Sequence, residues 1–133
     1  MYEKLTKYIP MLENKEYGIK SHDMGGGDYN KQLINMIEAV YDLVDRKKDY
    51  NGLLEKAAGC DVRKINARKI EQIDTSILNG DTVFAIIYYI IRKEHIIGGI
   101  ILKFCENGCF LKWLTRLKEI DEGEAVDDNR GRK

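Results

Sequence analysis

Three side chains in the second half of the chain are of types that could bind an anion. Arg92 and His95 are three positions apart, and Arg116 follows further along the chain. Guanidinium groups donate paired hydrogen bonds to carboxylates and phosphates, and an imidazole changes its charge near neutral pH. Gly98 and Gly99 beside them carry no side chain and would allow a close approach. The sequence therefore offers the hypothesis of a small anion-binding cluster of Arg92, His95 and Arg116.

The same residues also have a structural interpretation, which their position favours. Arg92 and Lys93 end a long apolar run, so they would interact favourably with the C-terminal end of a helix. His95 would then lie in the connection that follows. The glycine pair would let two helices pack closely.

Other cations could form a basic surface, although a solvated helix face explains the same pattern. One group lies in the C-terminal third and consists of Lys103, Lys112, Arg116 and Lys118. A second group forms the most basic stretch of the chain and consists of Arg63, Lys64, Arg68 and Lys69. Because 22 basic and 22 acidic side chains cancel, the overall positive field of a non-specific nucleic-acid binder is not expected. Nucleic acid is therefore an unfavoured partner that only the second group would support.

Most sequence signatures of enzymes are missing from the chain. It has no phosphate-binding loop, dinucleotide-binding glycine motif, zinc-protease motif or serine-hydrolase elbow. Ser21, His22 and Asp23 are adjacent, whereas the members of a catalytic triad seldom come from consecutive residues. The glycines at 25–27 could present backbone amides to an anion, but a flexible connection is the favoured interpretation. We therefore predict no catalytic residues and no cofactor.

The three cysteines are predicted to be small core residues. Cys60, Cys105 and Cys109 are odd in number and have no C-x-x-C spacing. The two histidines of the chain have no ligand-type spacing to them, so no metal site is expected. The N-terminal segment has charges throughout and no apolar core of a signal peptide, which predicts a cytoplasmic location. The longest apolar run has nine residues, far fewer than the roughly twenty of a membrane span.

These residues must be positioned by helices, because helical spacing dominates the chain. A first helix is expected around residues 5–12, kinked or restarted at Pro10, followed by an irregular glycine-rich connection. The clearest amphipathic pattern covers residues 33–44, and a short helix ends at Gly59. Residues 60–72 suit a short helix or an extended connection equally well.

The C-terminal half predicts three further helices. Asn79 is a good N-cap for the apolar run VFAIIYYII, which would form the central, buried helix. Two helices then flank Asn107-Gly108, where a left-handed residue would end the first of them. The expected fold is all-α, a compact single-domain bundle of about five to six helices over residues 1–120. Residues 121–133 are expected to be a disordered charged tail.

Five segments of the chain resemble an uncharacterised bacterial and mobile-element family, the domain of unknown function 6508. The likeness runs from about Leu5 to Ile120. Its segments are LTKYIPMLE, IEAVYDL, DYNGLLEKAAG, RKEHIIGG and CENGCFLKWLTRLKEI. Members of the family carry Arg, an acidic residue, Arg-Phe, a variable position, an acidic residue and Gly at a set of positions. The corresponding residues here are Arg92, Glu94, His95, Ile96, Gly98 and Gly99.

The later part of the family pattern matches at Gly108 and at Arg116-Leu117-Lys118. The chain departs from the pattern in two places, since His95 stands where the family has a guanidinium and Gly98 where it has a carboxylate. An Arg–carboxylate pair at these positions would be lost here or would have a different partner. The resemblance implies a helical fold and supplies no mechanism.

Three functional hypotheses follow from the residues and the resemblance. The favoured one is a small protein that acts by binding, with another protein as the favoured partner. The surplus of Ile and Tyr is also compatible with a homodimer. The second is an anti-defence or regulatory protein of a phage or mobile element that inhibits a host nuclease or sensor. The third is a small enzyme or an anion- or nucleotide-binding protein that uses Arg92 and His95. The candidate binding residues are Arg92, His95, Arg116, Lys112, Gly98 and Gly99.

Overall fold

A computed structural model describes residues 1–20 and 27–131, with side chains described for residues 1–18 and 29–123. These residues form eight α-helices, two 3-10 turns and one antiparallel ribbon of two short strands. The predicted all-α fold is confirmed, with more helices than the five or six expected. The helices are α1 Glu3–Thr6, α2 Ile9–Glu13, α3 Lys31–Leu43, α4 Tyr50–Ala58, α5 Ala67–Gln72, α6 Gly80–Lys93, α7 Ile100–Glu106 and α8 Cys109–Gly131.

Of the two alternatives for the N-terminal region, a kink or a restart at Pro10, the structure has the restart. Pro10 lies in the first turn of α2, where its missing N–H breaks no helical hydrogen bond. The helix predicted over residues 5–12 is therefore divided into α1 and α2. Leu5 and Leu12 are buried on the same core.

The connection after α2 was expected to be irregular, and this expectation is wrong for six of its residues. Strands β1, Gly18–Lys20, and β2, Gly27–Tyr29, pair in antiparallel register, with Gly18 opposite Tyr29. The Ser21-His22-Asp23 sequence and the first two glycines of 25–27 lie outside the described residues. The ribbon leads directly into α3, which Asn30 caps by accepting a hydrogen bond from Gln32 N.

Residues 60–72, which the sequence left between helix and loop, contain both a turn and a helix. A 3-10 turn over Val62–Lys64 follows α4, and α5 follows this turn. The Asp61 side chain accepts a hydrogen bond from a backbone amide at the start of the 3-10 turn, and the Asn66 side chain accepts one at the start of α5. Two polar caps in quick succession explain why the hydrophobic pattern alone was ambiguous.

Helix α6 is the centre of the fold, as its apolar sequence predicts. Asn79 Oδ1 accepts a hydrogen bond from Thr82 N at 2.9 Å and so starts the helix. Helices α3, α4, α7 and α8 all pack against it. Its buried residues include Val83, Phe84, Ile86, Ile87, Tyr89, Ile90 and Ile91. Over the described part of the chain, no helix is both long and apolar enough to cross a membrane.

Helices α7 and α8 meet at the predicted Asn-Gly junction. Gly108 has φ +85°, in the left-handed region that glycine tolerates, and Asn107 Oδ1 accepts a hydrogen bond from Cys109 N. The Trp113 ring stacks on Phe104 with 5.6 Å between ring centroids. This pair fixes α8 against α7 in the core.

Helix α8 continues beyond residue 120, where a disordered tail was expected to begin. Its backbone is helical to Gly131. Asp121 Oδ2 accepts a hydrogen bond from Tyr2 N at 2.7 Å, which ties this part of α8 to the start of the chain. A domain boundary at residue 120 stays a prediction.

Candidate functional site, a cationic groove at the C-terminal end of α6

A groove of about 310 Å³ lies beside the C-terminal end of α6. Helices α4 and α6 and the 3-10 turn after α4 form its walls. The residues that line it are Asn51, Val62, Arg63, Tyr89, Arg92, Lys93 and Ile96. Three of them are cations and none is a carboxylate. The lining of the groove therefore combines positive charge with two aliphatic side chains, those of Val62 and Ile96.

Arg92 is held in place from two directions. Its guanidinium carbon lies 4.5 Å from the centroid of the Tyr88 ring, a cation–π distance. Its Nη2 donates a weak hydrogen bond to Asn51 Oδ1 at 3.3 Å. Among the described residues, Arg92 has no carboxylate partner. The guanidinium is thus oriented by neutral groups, and no described carboxylate neutralises its charge.

Lys93 and Arg63 differ in how free their charges are. Lys93 Nζ lies 5.4 Å from the centroid of the Tyr89 ring, and no described carboxylate pairs with it. Arg63 Nε donates to Asp61 Oδ1 at 3.1 Å, although the Arg63 side chain is 87% exposed. The available positive charge of the groove therefore comes from Arg92 and Lys93.

The buried Tyr89 contributes aromatic surface to the groove. The Tyr89 hydroxyl donates a hydrogen bond to the carbonyl oxygen of Ile65 at 3.0 Å. Burial raises the pKa of this phenol, so Tyr89 stays neutral and is not a proton donor poised for transfer. Its ring serves as a surface rather than as a reacting group.

The backbone amides at the rim of the groove are already occupied. Val62 N donates to Glu55 Oε2 at 2.8 Å, and Arg63 N donates to Asp61 Oδ1 at 2.8 Å. These carboxylates satisfy the amides that could otherwise bind a phosphate. They also place two negative charges just outside the groove.

His95 does not join Arg92 in the groove. It follows α6 in a turn, where its backbone N donates to Arg92 O at 3.3 Å. Its side chain is exposed and does not line the groove. The two residues are therefore close in sequence, but the structure does not bring the imidazole to the same surface.

Arg116 lies at the other end of α6. Its Nε and Nη2 donate to the carbonyl oxygen of Leu78 at 3.1 and 2.9 Å, and its Nη1 is 3.9 Å from Glu119 Oε1. Since Leu78 precedes α6 and Arg92 is near its last residue, the length of the helix separates the two guanidiniums by roughly 20 Å. The hypothesis of one cluster of Arg92, His95 and Arg116 is corrected by this geometry.

Gly99 and Glu94 form a structural junction that the sequence did not reveal. Gly99 has φ +88° and precedes α7, so glycine is required there by its backbone conformation. Glu94 Oε2 accepts a hydrogen bond from Gly99 N at 2.7 Å, and Oε1 accepts from Ile101 N at 2.9 Å. The carboxylate thus caps α7, while Gly98 lies exposed in the turn.

Glu94 also binds the ribbon. Its Oε1 accepts a hydrogen bond from the Tyr29 hydroxyl at 2.9 Å. Burial and this hydrogen bond raise the pKa of Tyr29 above its usual range. The resemblance pointed to an acidic residue at position 94, yet only the fold shows that its partners are Tyr29 and the first turn of α7.

Lys112 lies away from the groove, in a shallow depression between α5 and the Asn107-Gly108 junction. Glu71 and Cys109 share this depression. The three cysteines are free thiols, and burial raises the pKa of Cys105 to about 12. Among the described residues, no group of three or more His, Cys, Asp or Glu could hold a metal ion.

No protein-family model, curated protein or solved structure shows a significant match to this chain. Sequence reasoning identified Arg92 but missed Asn51 and Tyr88, which orient it. The spacing of four residues between Tyr88 and Arg92 is a usable signal on a helix. Asn51 comes from α4 and gives no local signal.

Proposed function

We propose that this protein acts by binding another protein, and that the cationic groove is its docking point. The observation that carries the proposal is the state of Arg92 and Lys93. Both line a concave surface with aliphatic walls, and neither pairs with a carboxylate of the described chain. Charge left free beside apolar surface favours an acidic partner, because an incoming carboxylate supplies the missing counter-charge.

The composition of the groove favours binding over catalysis. A general acid or base needs a group such as an imidazole or a carboxylate within hydrogen-bond reach of the reacting atoms. The groove lining contains none, since His95 lies outside it and the Tyr89 hydroxyl donates to a backbone carbonyl. A docking role for Arg92 needs only charge and geometry, both of which are present.

The more specific role of a phage or mobile-element regulator that inhibits a host nuclease or sensor is part of this proposal. Its support is the family resemblance. A cytoplasmic location is proposed on the same basis, together with the three free thiols.

Selection from a random peptide library displayed on phage would test the proposal. We expect the wild-type protein to enrich peptides with clustered Asp and Glu. The double variant Arg92→Ala/Lys93→Ala should lose this enrichment. Arg68→Ala/Lys69→Ala is the matched control, because it removes an Arg-Lys pair from α5, where both side chains are exposed and lie outside the groove.

The selection has outcomes that distinguish the groove from the rest of the surface. Enrichment that survives Arg92→Ala/Lys93→Ala and disappears with the α5 control would move the binding site to the basic stretch. Enrichment of no acidic peptide by the wild type would overturn the proposal. Sedimentation equilibrium on the same samples shows whether a homodimer forms and whether either double variant changes it.

A further inference from the structure

The geometry points to a more specific ligand, and this inference rests on the proposed function. We infer that the groove recognises a carboxylate side chain of the partner, flanked by a branched aliphatic residue, and that it disfavours a phosphate group. Arg92 would bind the carboxylate. Val62 and Ile96 would contact the aliphatic neighbour.

The placement of Arg92 suits a planar ligand group. A guanidinium presents parallel N–H donors in its own plane, and two of them match the two oxygens of a carboxylate. The Tyr88 ring centroid lies 4.5 Å from the guanidinium carbon, and Asn51 Oδ1 accepts from Nη2. A ligand carboxylate would accept paired hydrogen bonds from the N–H groups that Asn51 leaves unused.

Several features near Arg92 act against a doubly charged phosphate. Arg92 and Lys93 are in the last turn of α6, where the helix dipole contributes partial negative charge. The carboxylates of Glu55 and Asp61 occupy the rim amides and add two further negative charges. The three cations of the lining together with these two carboxylates leave a net charge of +1, so the groove neutralises a single negative charge better than two.

The aliphatic walls supply the second half of the recognition. Val62 is half-buried, and Ile96 is 77% exposed at the open edge of the groove. Removal of an exposed aliphatic side chain of this size from water favours binding through the hydrophobic effect. A purely acidic ligand would leave both walls in contact with water.

Fluorescence polarisation with labelled synthetic peptides would test the inference. The main probe alternates Glu and Ile. One comparison peptide alternates Glu and Ser, and another replaces each Glu by phosphoserine. We expect the Glu-Ile peptide to bind most tightly. Arg92→Lys keeps the charge and removes the paired donors, so it should weaken Glu-Ile binding roughly tenfold, the equivalent of one charge-assisted hydrogen bond. Arg68→Lys is the matched control and should leave binding unchanged.

A second variant separates the apolar contribution from the charge. Ile96→Ser should weaken binding of the Glu-Ile peptide and leave binding of the Glu-Ser peptide unchanged. Because Ile96 is exposed, this change should not affect folding, which circular dichroism checks.

The outcomes separate this inference from the proposed function. Equal or tighter binding of the phosphoserine peptide would overturn the carboxylate preference and leave protein docking standing. If Arg92→Lys bound the Glu-Ile peptide as tightly as the wild type does, the role of the paired guanidinium donors would be overturned. Tighter binding of oligo-dT than of any peptide would make the surface a nucleic-acid site and overturn both. Failure of every peptide to bind would overturn the proposed function itself.

Discussion

At its N-terminal end, α6 begins among polar groups that are bonded within the molecule. Asn79 caps the helix, and Arg116 donates to the carbonyl of Leu78 just before it. Asp81 forms an ion pair with Lys48 at 2.6 Å. A cation at this end therefore already has its partners.

At its C-terminal end, α6 carries an Arg and a Lys that form no ion pair with a described carboxylate. Arg92 rests on an aromatic ring and one amide, and Lys93 lies over a second ring. Ile96 and Ile97 follow and are both exposed. Only Glu94 is turned inward, onto α7 and the ribbon.

Residue type alone therefore does not distinguish a cation that is paired within the fold from one that has no carboxylate partner there. Arg92 and Arg116 looked alike in the sequence and both ended up on helices. What separates them is the strength of the acceptors: Arg116 donates two hydrogen bonds to the carbonyl of Leu78 and lies 3.9 Å from a Glu119 oxygen, whereas Arg92 donates one long hydrogen bond to Asn51 and has no described carboxylate partner. Changes at the two ends should therefore affect different properties, namely the free energy of unfolding at one end and ligand binding at the other.

The largest loss of stability is expected for a change at Glu94, the residue after α6 whose side chain is turned inward. Glu94→Ala removes the acceptor of Gly99 N, Ile101 N and the Tyr29 hydroxyl. Leaving such donors unsatisfied should lower the free energy of unfolding by about 3 kcal/mol, measured by urea denaturation. Glu106→Ala is the control, because Glu106 is exposed on α7, and a change above about 0.5 kcal/mol there would contradict the assignment.

The next effect concerns close packing at the N-terminal end. A Cβ on Gly80 would lie 2.5 Å from the hydroxyl oxygen of Tyr2, and Tyr2 is buried. Gly80→Ala should therefore cost about 2 kcal/mol through overpacking, seen as a lower melting temperature. Gly123→Ala on α8 is the matched control, since nothing lies within 4 Å of its added Cβ. It should stabilise the protein slightly, and equal destabilisation by both variants would refute the packing argument.

A smaller effect tests the cation at the N-terminal end. Arg116→Ala removes two hydrogen bonds to the carbonyl of Leu78, and we expect a loss of about 1 to 2 kcal/mol in the free energy of unfolding. Acidic peptides should bind as they do to the wild type. Lys118→Ala on the same helix is exposed and should change neither property. Loss of peptide binding in Arg116→Ala would show that the two ends of α6 are not separate in function.

The smallest expected effect on stability tests the C-terminal end. Arg92→Ala/Lys93→Ala should lower the free energy of unfolding by about 1 kcal/mol or less, because each side chain loses one cation–π contact and neither loses a carboxylate partner of the described fold. Thermal denaturation gives this value beside the binding measurement. A cost similar to that of Arg116→Ala would show that the cations support the fold and are not reserved for a partner.

The helices could be predicted because their signals are local. Asn79 and the apolar run after it defined α6, and Asn107-Gly108 defined the junction of α7 and α8. The ribbon could not be predicted, because strands of three residues carry no readable alternation. The groove could be predicted only in part. Arg92 was identified, whereas Asn51, which contacts Arg92 from α4, is 41 positions away in sequence. Contacts of this range depend on how the helices pack, which no local pattern encodes.

The capping of α7 by Glu94 has a consequence for the speed and thermodynamics of binding. The carboxylate stands directly after Arg92 and Lys93 and anchors their turn to two other elements, so the groove holds one shape before any ligand arrives. A receptor that is preorganised in this way loses little conformational entropy on association. Its backbone should move by less than about 1 Å between the free and bound states. Association should then proceed in a single kinetic phase, with a rate constant that falls as ionic strength rises.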